Sequence, residues 1–210
     1  EIESRLFMKA NKTVLSISLV ALLVVAALGV SYSYFSANLR GDFESASTIT
    51  MEAGKMILTY QNNSTDLEIR PTEKVYPRGT AGNKSESDAW IKKTFAITGT
   101  NTTELDMKYK ISMVVDANEF ENNALSYELI GHKEDSDTTS VVLNNLTGNI
   151  PTGASTIEFK GTASPLFKNA TDSVHNYTLY IFFLDTNVEQ NDNQGKSFAA
   201  HIVVEGDATE

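Results

Sequence analysis

The chain has 210 residues, with 17 lysines and arginines against 27 aspartates and glutamates, and a formal net charge of −10. This acidic balance argues against nucleic acid as a partner and against docking on anionic lipid, because both need a basic surface. Cysteine is absent, which excludes disulfides, thiol nucleophiles and zinc–thiolate or iron–sulfur sites. Stability therefore has to come from packing and backbone hydrogen bonds.

Residues 1–33 have the layout of an export signal. A short basic segment, in which Met8 is the expected start, precedes seventeen uncharged and mostly apolar residues, Val14–Val30. As a helix this run spans roughly 25 Å at 1.5 Å per residue, short of the ~30 Å hydrocarbon core of a bilayer. The pattern predicts an N-terminal apolar helix that acts as a signal peptide or as an anchor.

The end of the apolar run favours cleavage. Ser31 and Ser33 form a small-x-small pattern of the kind that signal peptidases read, and a cut after Ser33 would leave Tyr34 as the new N-terminus. No cluster of basic residues follows to stop transfer. The alternative is an uncleaved anchor, in which the protein contacts the membrane only through residues 14–33.

The chain from residue 47 to residue 210 is composed of short β-type segments separated by turn-forming residues. The predicted strands are 49–61, 89–98, 104–116, 124–131, 140–146, 155–161, 176–186 and 197–206. The segment 104–116 has the clearest two-residue period, whereas 176–186 is apolar on both faces and predicts a central strand covered on both sides. Short helical turns are expected within 115–124. The pattern predicts an all-β fold, an antiparallel sandwich in one domain.

Three stretches of this sequence resemble a known family. LVALLVVAALGVSYSYFSA resembles the signal peptides that SipW-type signal peptidases cleave. The TasA/camelysin family of secreted proteins carries such signal peptides. AGKMILTY (53–60) is similar to the family's A-G-x-L-x-L strand. The segment 95–115 is similar to the family's strand–turn–strand segment, although Gly99 and Asn101 stand in a rearranged order. The resemblance implies a jelly-roll-like β-sandwich and an extracellular fibre or biofilm matrix, with signal peptidase as a partner during export.

If the leader is removed, residues 34–46 become a free N-terminal arm. Its apolar side chains, which could fill pockets on a neighbouring subunit, are Tyr34, Phe35, Leu39 and Phe43. Insertion of this arm into the next subunit would be strand addition in trans. Such a contact joins subunits head to tail and does not close, so it predicts a homopolymeric filament.

The sequence offers no catalytic constellation. His132, His175 and His201 lie far apart, and there is no HExxH, G-x-S-x-G, P-loop or dinucleotide-binding motif. We therefore expect no enzymatic activity and no cofactor. The alternative function is a surface adhesin, anchored or secreted, in which Trp90, Tyr127 and Tyr180 stack on carbohydrate, although each of these side chains also suits a core.

Two further patterns concern surface sites. Oxygen-bearing side chains at Asp185, Asn187 and Glu189 are weak calcium candidates, but the loop lacks the glycine of an EF-hand and a solvated hairpin tip is the simpler interpretation. Candidate N-glycosylation acceptors, in N-x-S/T sequences, are Asn62, Asn63, Asn83, Asn101, Asn145, Asn169 and Asn176. The alternative is that Asn, Ser and Thr simply enrich turns.

Overall fold

The structure is a computed structural model, and it describes residues 48–53, 56–62, 66–102, 106–133, 141–161, 166–167 and 170–209. The predicted leader, its cleavage residues and the whole N-terminal arm lie outside the described residues. Among the described residues, no helix is long and apolar enough to cross a membrane.

The described chain is built almost entirely of β-strands. Their bounds are β1 (Thr48–Ala53), β2 (Met56–Asn62), β3 (Leu67–Ile69), β4 (Ala89–Asn101), β5 (Asp106–Asn118), β6 (Leu125–Lys133), β7 (Val141–Asn149), β8 (Ser155–Glu158), β9 (Leu166–Phe167), β10 (Ala170–Phe183) and β11 (Phe198–Thr209). Two short 3₁₀ turns, Glu86–Asp88 and Asn191–Asn193, lie in the connections.

The strands form two antiparallel sheets. One sheet has the order β1-β2-β4-β10-β6-β7, and the other has the order β3-β11-β5-β8, with β9 also paired to β5. The chain changes sheet at seven of its ten strand connections, among them β4–β5 and β10–β11. Within the sheets β4 lies beside β10, and β5 lies beside β11. The prediction of an all-β antiparallel sandwich is therefore confirmed.

The two-residue period of each strand places the core between the sheets. On β5 the inward side chains, each at most 1% exposed, are Met107, Tyr109, Ile111, Met113 and Val115. On β10 the outward residues Tyr180 and Phe182 are buried as well, and the connection before β4 brings Lys84 over the Phe182 ring. This double burial confirms the prediction of a central strand covered on both faces.

Three details of the predicted elements were wrong. The segment 49–61 forms a hairpin of two strands, β1 and β2, and Gly54 is the sequence signal that separates them. The helical turn expected within 115–124 is absent from the described residues: β5 continues to Asn118, and Asn122 and Asn123 then take positive φ angles of 58° and 53° in a turn. The short strands β3 and β9 were not predicted.

Candidate functional site: a one-sided strand edge

One long strand edge stands out among the described residues. β11 pairs with β5 over its whole length, but its other side pairs with β3 only over Phe198–Ala200. Residues 202–209, which we call the β11 edge, are paired with β5 alone among the described residues. At about 3.4 Å per residue this edge extends roughly 27 Å, enough for one added strand.

The inner face of the β11 edge is apolar. Ile202 and Val204 point toward the core and are each 1% exposed, and Val203 on the opposite face is 6% exposed. Glu205 lies opposite Lys110 in the register with β5, on the outward face. A strand added here would continue an apolar inner face, and its backbone would pair with N–H and C=O groups of β11 that no described strand pairs.

Other edges of the sandwich are protected in ways that discourage strand addition. β3 has three residues and carries an exposed Arg70–Glu68 ion pair, with an N–O distance of 3.1 Å. β8 has four residues and ends in a Lys160–Glu158 pair at 3.2 Å. The pairing of β7 with β6 is interrupted by two register shifts between Leu129 and His132. The β11 edge carries Glu205 and Asp207, but its pairing with β5 has no register shift along residues 202–209, and it is longer than the edge of β1, which has six residues.

The weak calcium candidates are not assembled into a site. Asp185, Asn187 and Glu189 are all exposed, and the Asp185 carboxylate accepts a hydrogen bond from the Asn187 backbone N–H at 2.7 Å. Asn191 donates to the Glu189 carboxylate at 2.6 Å. Among the described residues, no three His, Cys, Asp or Glu side chains cluster as metal ligands would.

The candidate glycosylation sites differ sharply in accessibility. Asn101 is fully buried, and its Nδ2 donates to the backbone oxygen of Phe167 at 2.9 Å. The Nδ2 atom of Asn176, on the central strand β10, is buried as well. In the folded chain neither nitrogen is open to a glycosyltransferase, because both atoms are buried.

The remaining candidate acceptors divide into three groups. Asn83 lies exposed in a turn, and Asn145 is exposed on β7, where it donates to Glu128 at 3.1 Å. Asn62 is half-buried at the end of β2. Asn63 and Asn169 lie outside the described residues. Asn83 and Asn145 therefore stay predictions with an accessible acceptor.

The aromatic side chains considered for carbohydrate binding are largely occupied. Tyr180 is buried, and Trp90 and Tyr127 pack against the core cluster. The Arg78 guanidinium covers one face of Trp90, at 3.6 Å from the ring centroid, and Tyr76 meets the same ring edge-on. These contacts hold the aromatic rings against protein groups rather than presenting them on a concave sheet face.

The three histidines are not brought together. His132 is half-buried on β6, and His201 pairs with Asp116, with 2.8 Å between Nδ1 and the carboxylate oxygen. His175 is buried between the sheets, where its Nδ1 lies 2.5 Å from the Tyr109 hydroxyl. The Tyr109 hydroxyl also lies 2.5 Å from the Tyr177 hydroxyl, so these three side chains form a hydrogen-bonded network inside the core.

β9 packs against this buried network through the ring of Phe167. The Phe167 ring stacks on the His175 ring at a centroid distance of 4.2 Å and on Tyr109 at 5.5 Å. Gly99 on β4 makes room for this ring, because a Cβ built on Gly99 would lie 2.1 Å from it. Gly99 thus leaves room for the Phe167 ring, and Asn101 holds the Phe167 backbone by a hydrogen bond. Together these two residues of β4 position β9.

One buried polar pair was missed in the sequence. Lys93 on β4 is only 3% exposed, and its Nζ lies 3.0 Å from the side-chain oxygen of Asn62 on β2. Burial lowers the pKa of Lys93, and the Asp66 carboxylate acts in the opposite direction. The sequence signal was the position of Lys93 between Ile91 and Phe95, in phase with the inward side chains of β4.

No family model matches the chain, and no curated protein matches it. Among solved structures, it is similar to the VP2 subviral particle of infectious bursal disease virus, with a TM-score of 0.41 and 9% identity over 81% of this chain and 38% of that chain. It is also similar to the structure of the Gt strain of that virus, with a TM-score of 0.40 and 10% identity over 80% of this chain and 36% of that one.

A further similarity is to the Salmonella enterica trimeric lipoprotein SadB, with a TM-score of 0.23 and 12% identity over 88% of this chain and 82% of that one. The chain thus spans little more than a third of the viral chains it resembles. Similarities this distant carry no argument about function. The class that its own strands define is an antiparallel β-sandwich with a long one-sided edge.

Proposed function

We propose that the chain is a secreted structural protein of the TasA/camelysin type, a subunit of a surface fibre or biofilm matrix. The observation that carries the proposal is the β11 edge, which has an apolar inner face and pairs with a single described strand. Such an edge is a template for an incoming strand. The acidic surface and the absence of catalytic motifs agree with a structural role.

The donor in this proposal is the N-terminal arm, residues 34–46. Its thirteen residues exceed the eight of the β11 edge, and its apolar residues would alternate with polar ones against the neighbour's core. Cleavage of the leader by a signal peptidase frees the arm, so export and assembly are coupled. The arm of one subunit pairs with the β11 edge of the next, and repetition of this contact gives a filament.

We also propose that the sandwich has a jelly-roll-like connectivity. A jelly-roll-like connectivity is supported by the crossing of consecutive strands between the two sheets, at β4–β5 and at β10–β11. The family resemblance of the leader and of segments 53–60 and 95–115 supports it independently.

Deletion of the arm tests the proposal. We expect the mature protein that starts at Tyr34 to form fibres, seen by electron microscopy and light scattering, and the protein lacking residues 34–46 to remain monomeric with an unchanged melting temperature. A full-length variant with Phe35→Ser and Leu39→Ser should also fail to polymerise, whereas a matched change of a polar arm residue, Asn38→Ser, should not. Fibre growth at the same rate without the arm would refute strand donation.

A peptide corresponding to the arm provides a second test. If the β11 edge is the acceptor, a synthetic peptide of residues 34–46 should bind the arm-deleted protein and stop fibre growth of the intact one, because it occupies the edge without offering a new one. A peptide with the same residues in scrambled order is the control. Equal inhibition by both peptides would contradict a specific acceptor edge.

A further inference from the structure

The contact between Lys93 and Asn62 joins two neighbouring strands through their side chains. β2 and β4 are paired antiparallel, with Asn62 opposite Phe95, and Lys93 lies two residues farther along β4. Its ammonium nitrogen donates to the carboxamide oxygen of Asn62 over 3.0 Å. The carboxamide carbon is one bond beyond that oxygen, so the amine is held beside the group that it would attack.

The surroundings of Lys93 favour a nucleophilic amine. The side chain is 3% exposed on the inward face of β4, between Ile91 and Phe95, which are also buried. Desolvation lowers the pKa of Lys93, which increases the fraction of the neutral amine at a given pH. A lysine desolvated in an apolar environment is one of the recognised forms of an activated amine nucleophile.

A carboxylate acts on the same amine. Asp66, in the connection between β2 and β3, favours the charged form of Lys93 electrostatically, although the effect of burial is larger. Asp66 is exposed to solvent. Replacement of the carboxamide nitrogen by the lysine amine needs a group that carries a proton from the attacking amine to the leaving nitrogen, and a carboxyl group is suited to this task.

We propose that Lys93 and Asn62 form an intramolecular isopeptide bond in the folded protein. The neutral Nζ of Lys93 attacks the Cγ of Asn62, the new C–N bond forms, and the bond from Cγ to Nδ2 breaks. One proton moves from Nζ to Nδ2, carried by Asp66, and Nδ2 leaves as ammonia. The step involves no change of oxidation state and needs no cofactor or co-reactant.

The bond would tie β2 to the central part of its sheet. Asn62 and Lys93 are 31 residues apart in sequence, so the cross-link closes a loop that contains β3 and the whole connection to β4. It would take the place of a disulfide in a protein that has no cysteine. It would also consume the Asn62 carboxamide, so that Asn62 is excluded as a glycosylation acceptor. The inference rests on this geometry and not on the proposed assembly.

Mass spectrometry of the purified, folded full chain tests the proposal. We expect the intact mass to be lower than the sequence mass by one ammonia, and a proteolytic digest to contain a branched peptide that links residues 62 and 93. Lys93→Arg and Asn62→Ala should each restore the full mass, whereas Asn145→Ala, which alters another asparagine carboxamide, should keep the loss of ammonia. Asp66→Asn should slow the loss while leaving the fold intact by circular dichroism.

The variants separate the isopeptide bond from its nearest rival. An asparagine can also lose ammonia by closing on its own backbone to a succinimide, but that loss would persist in Lys93→Arg and would give no branched peptide. A native chain of full mass, or one with a loss of ammonia and linear peptides only, overturns the proposal. The wild-type digest decides the matter even if a Lys93 variant does not fold.

Discussion

Replacing Gly99 with alanine would place a methyl group inside the ring of Phe167. A Cβ at position 99 would lie 2.1 Å from Cδ2 and 2.3 Å from Cγ of that ring, far below any van der Waals contact. The ring has little room to retreat, because it stacks on His175 at 4.2 Å and on Tyr109 at 5.5 Å. Its backbone oxygen is in turn held by Asn101. The clash therefore has to be relieved by moving β9 or the buried network.

The expected cost lies at the upper end of the range for overpacked cores, about 3 kcal/mol. For a domain of this size each kcal/mol lowers the melting temperature by roughly 2–4 °C, so Gly99→Ala should melt roughly 6–12 °C below the wild type. Thermal and urea unfolding followed by circular dichroism measure both quantities. Gly82→Ala is the matched control, since a Cβ at position 82 meets no atom within 4 Å and should change little.

A double-mutant cycle attributes the cost to the ring. Phe167→Ala alone should destabilise by about 3–5 kcal/mol, because it empties a buried aromatic site. In that background Gly99→Ala should cost almost nothing, since the methyl group then occupies vacated space. If Gly99→Ala behaves like Gly82→Ala, or if the costs of the two changes add, the steric reasoning is refuted.

Two further predictions concern titration and the aromatic surface cluster. Burial raises the pKa of Tyr109 and of Tyr177 well above the ordinary value of about 10, so the folded state keeps protons that the unfolded chain releases. The contribution of these two tyrosines to stability should be constant below pH ~10 and fall as the pH rises above it, and Tyr177→Phe should reduce the slope of the urea midpoint against pH in that alkaline range; an equal slope would contradict this. Arg78→Ala should lower stability by about 0.5–1 kcal/mol and shift the fluorescence of Trp90, the single tryptophan, because the guanidinium leaves its ring. Unchanged emission would show that the stacking does not persist in solution.

The longer strands could be predicted from the sequence because their alternation is local. In β5 the inward residues repeat every second position from Met107 to Val115, and in β10 apolar residues occupy both faces. β3 and β9 have three and two residues, too few for a period to be seen. The position of β9 depends on contacts with Gly99 and Asn101, which lie far away in sequence.

The same limit applies to individual side chains. The sequon at Asn101 reads as a surface loop by its residue types, yet the strand β4 extends to Asn101 itself and this side chain is buried. Lys93 reads as a solvated charge beside Lys92, but alternation with Ile91 and Phe95 places it on the buried face. The phase of a strand can therefore be read from sequence, whereas the partner across the sheet, here Asn62, cannot.

The edge strand β1 and the Lys93–Asn62 pair together bear on how the fold would respond to tension. In a filament joined by N-terminal arms, tension on an arm would enter the fold at β1, which pairs with β2 alone among the described strands. Backbone hydrogen bonds pulled apart one after another resist less than bonds loaded together, so the β1–β2 hairpin would be the first part to peel away. An amide bond from Asn62 to Lys93 would attach that hairpin to β4, whose other neighbour is the central strand β10. Peeling of the hairpin would then stop at Asn62, the last residue of β2, so that β4 and the centre of the sheet would stay folded under tension.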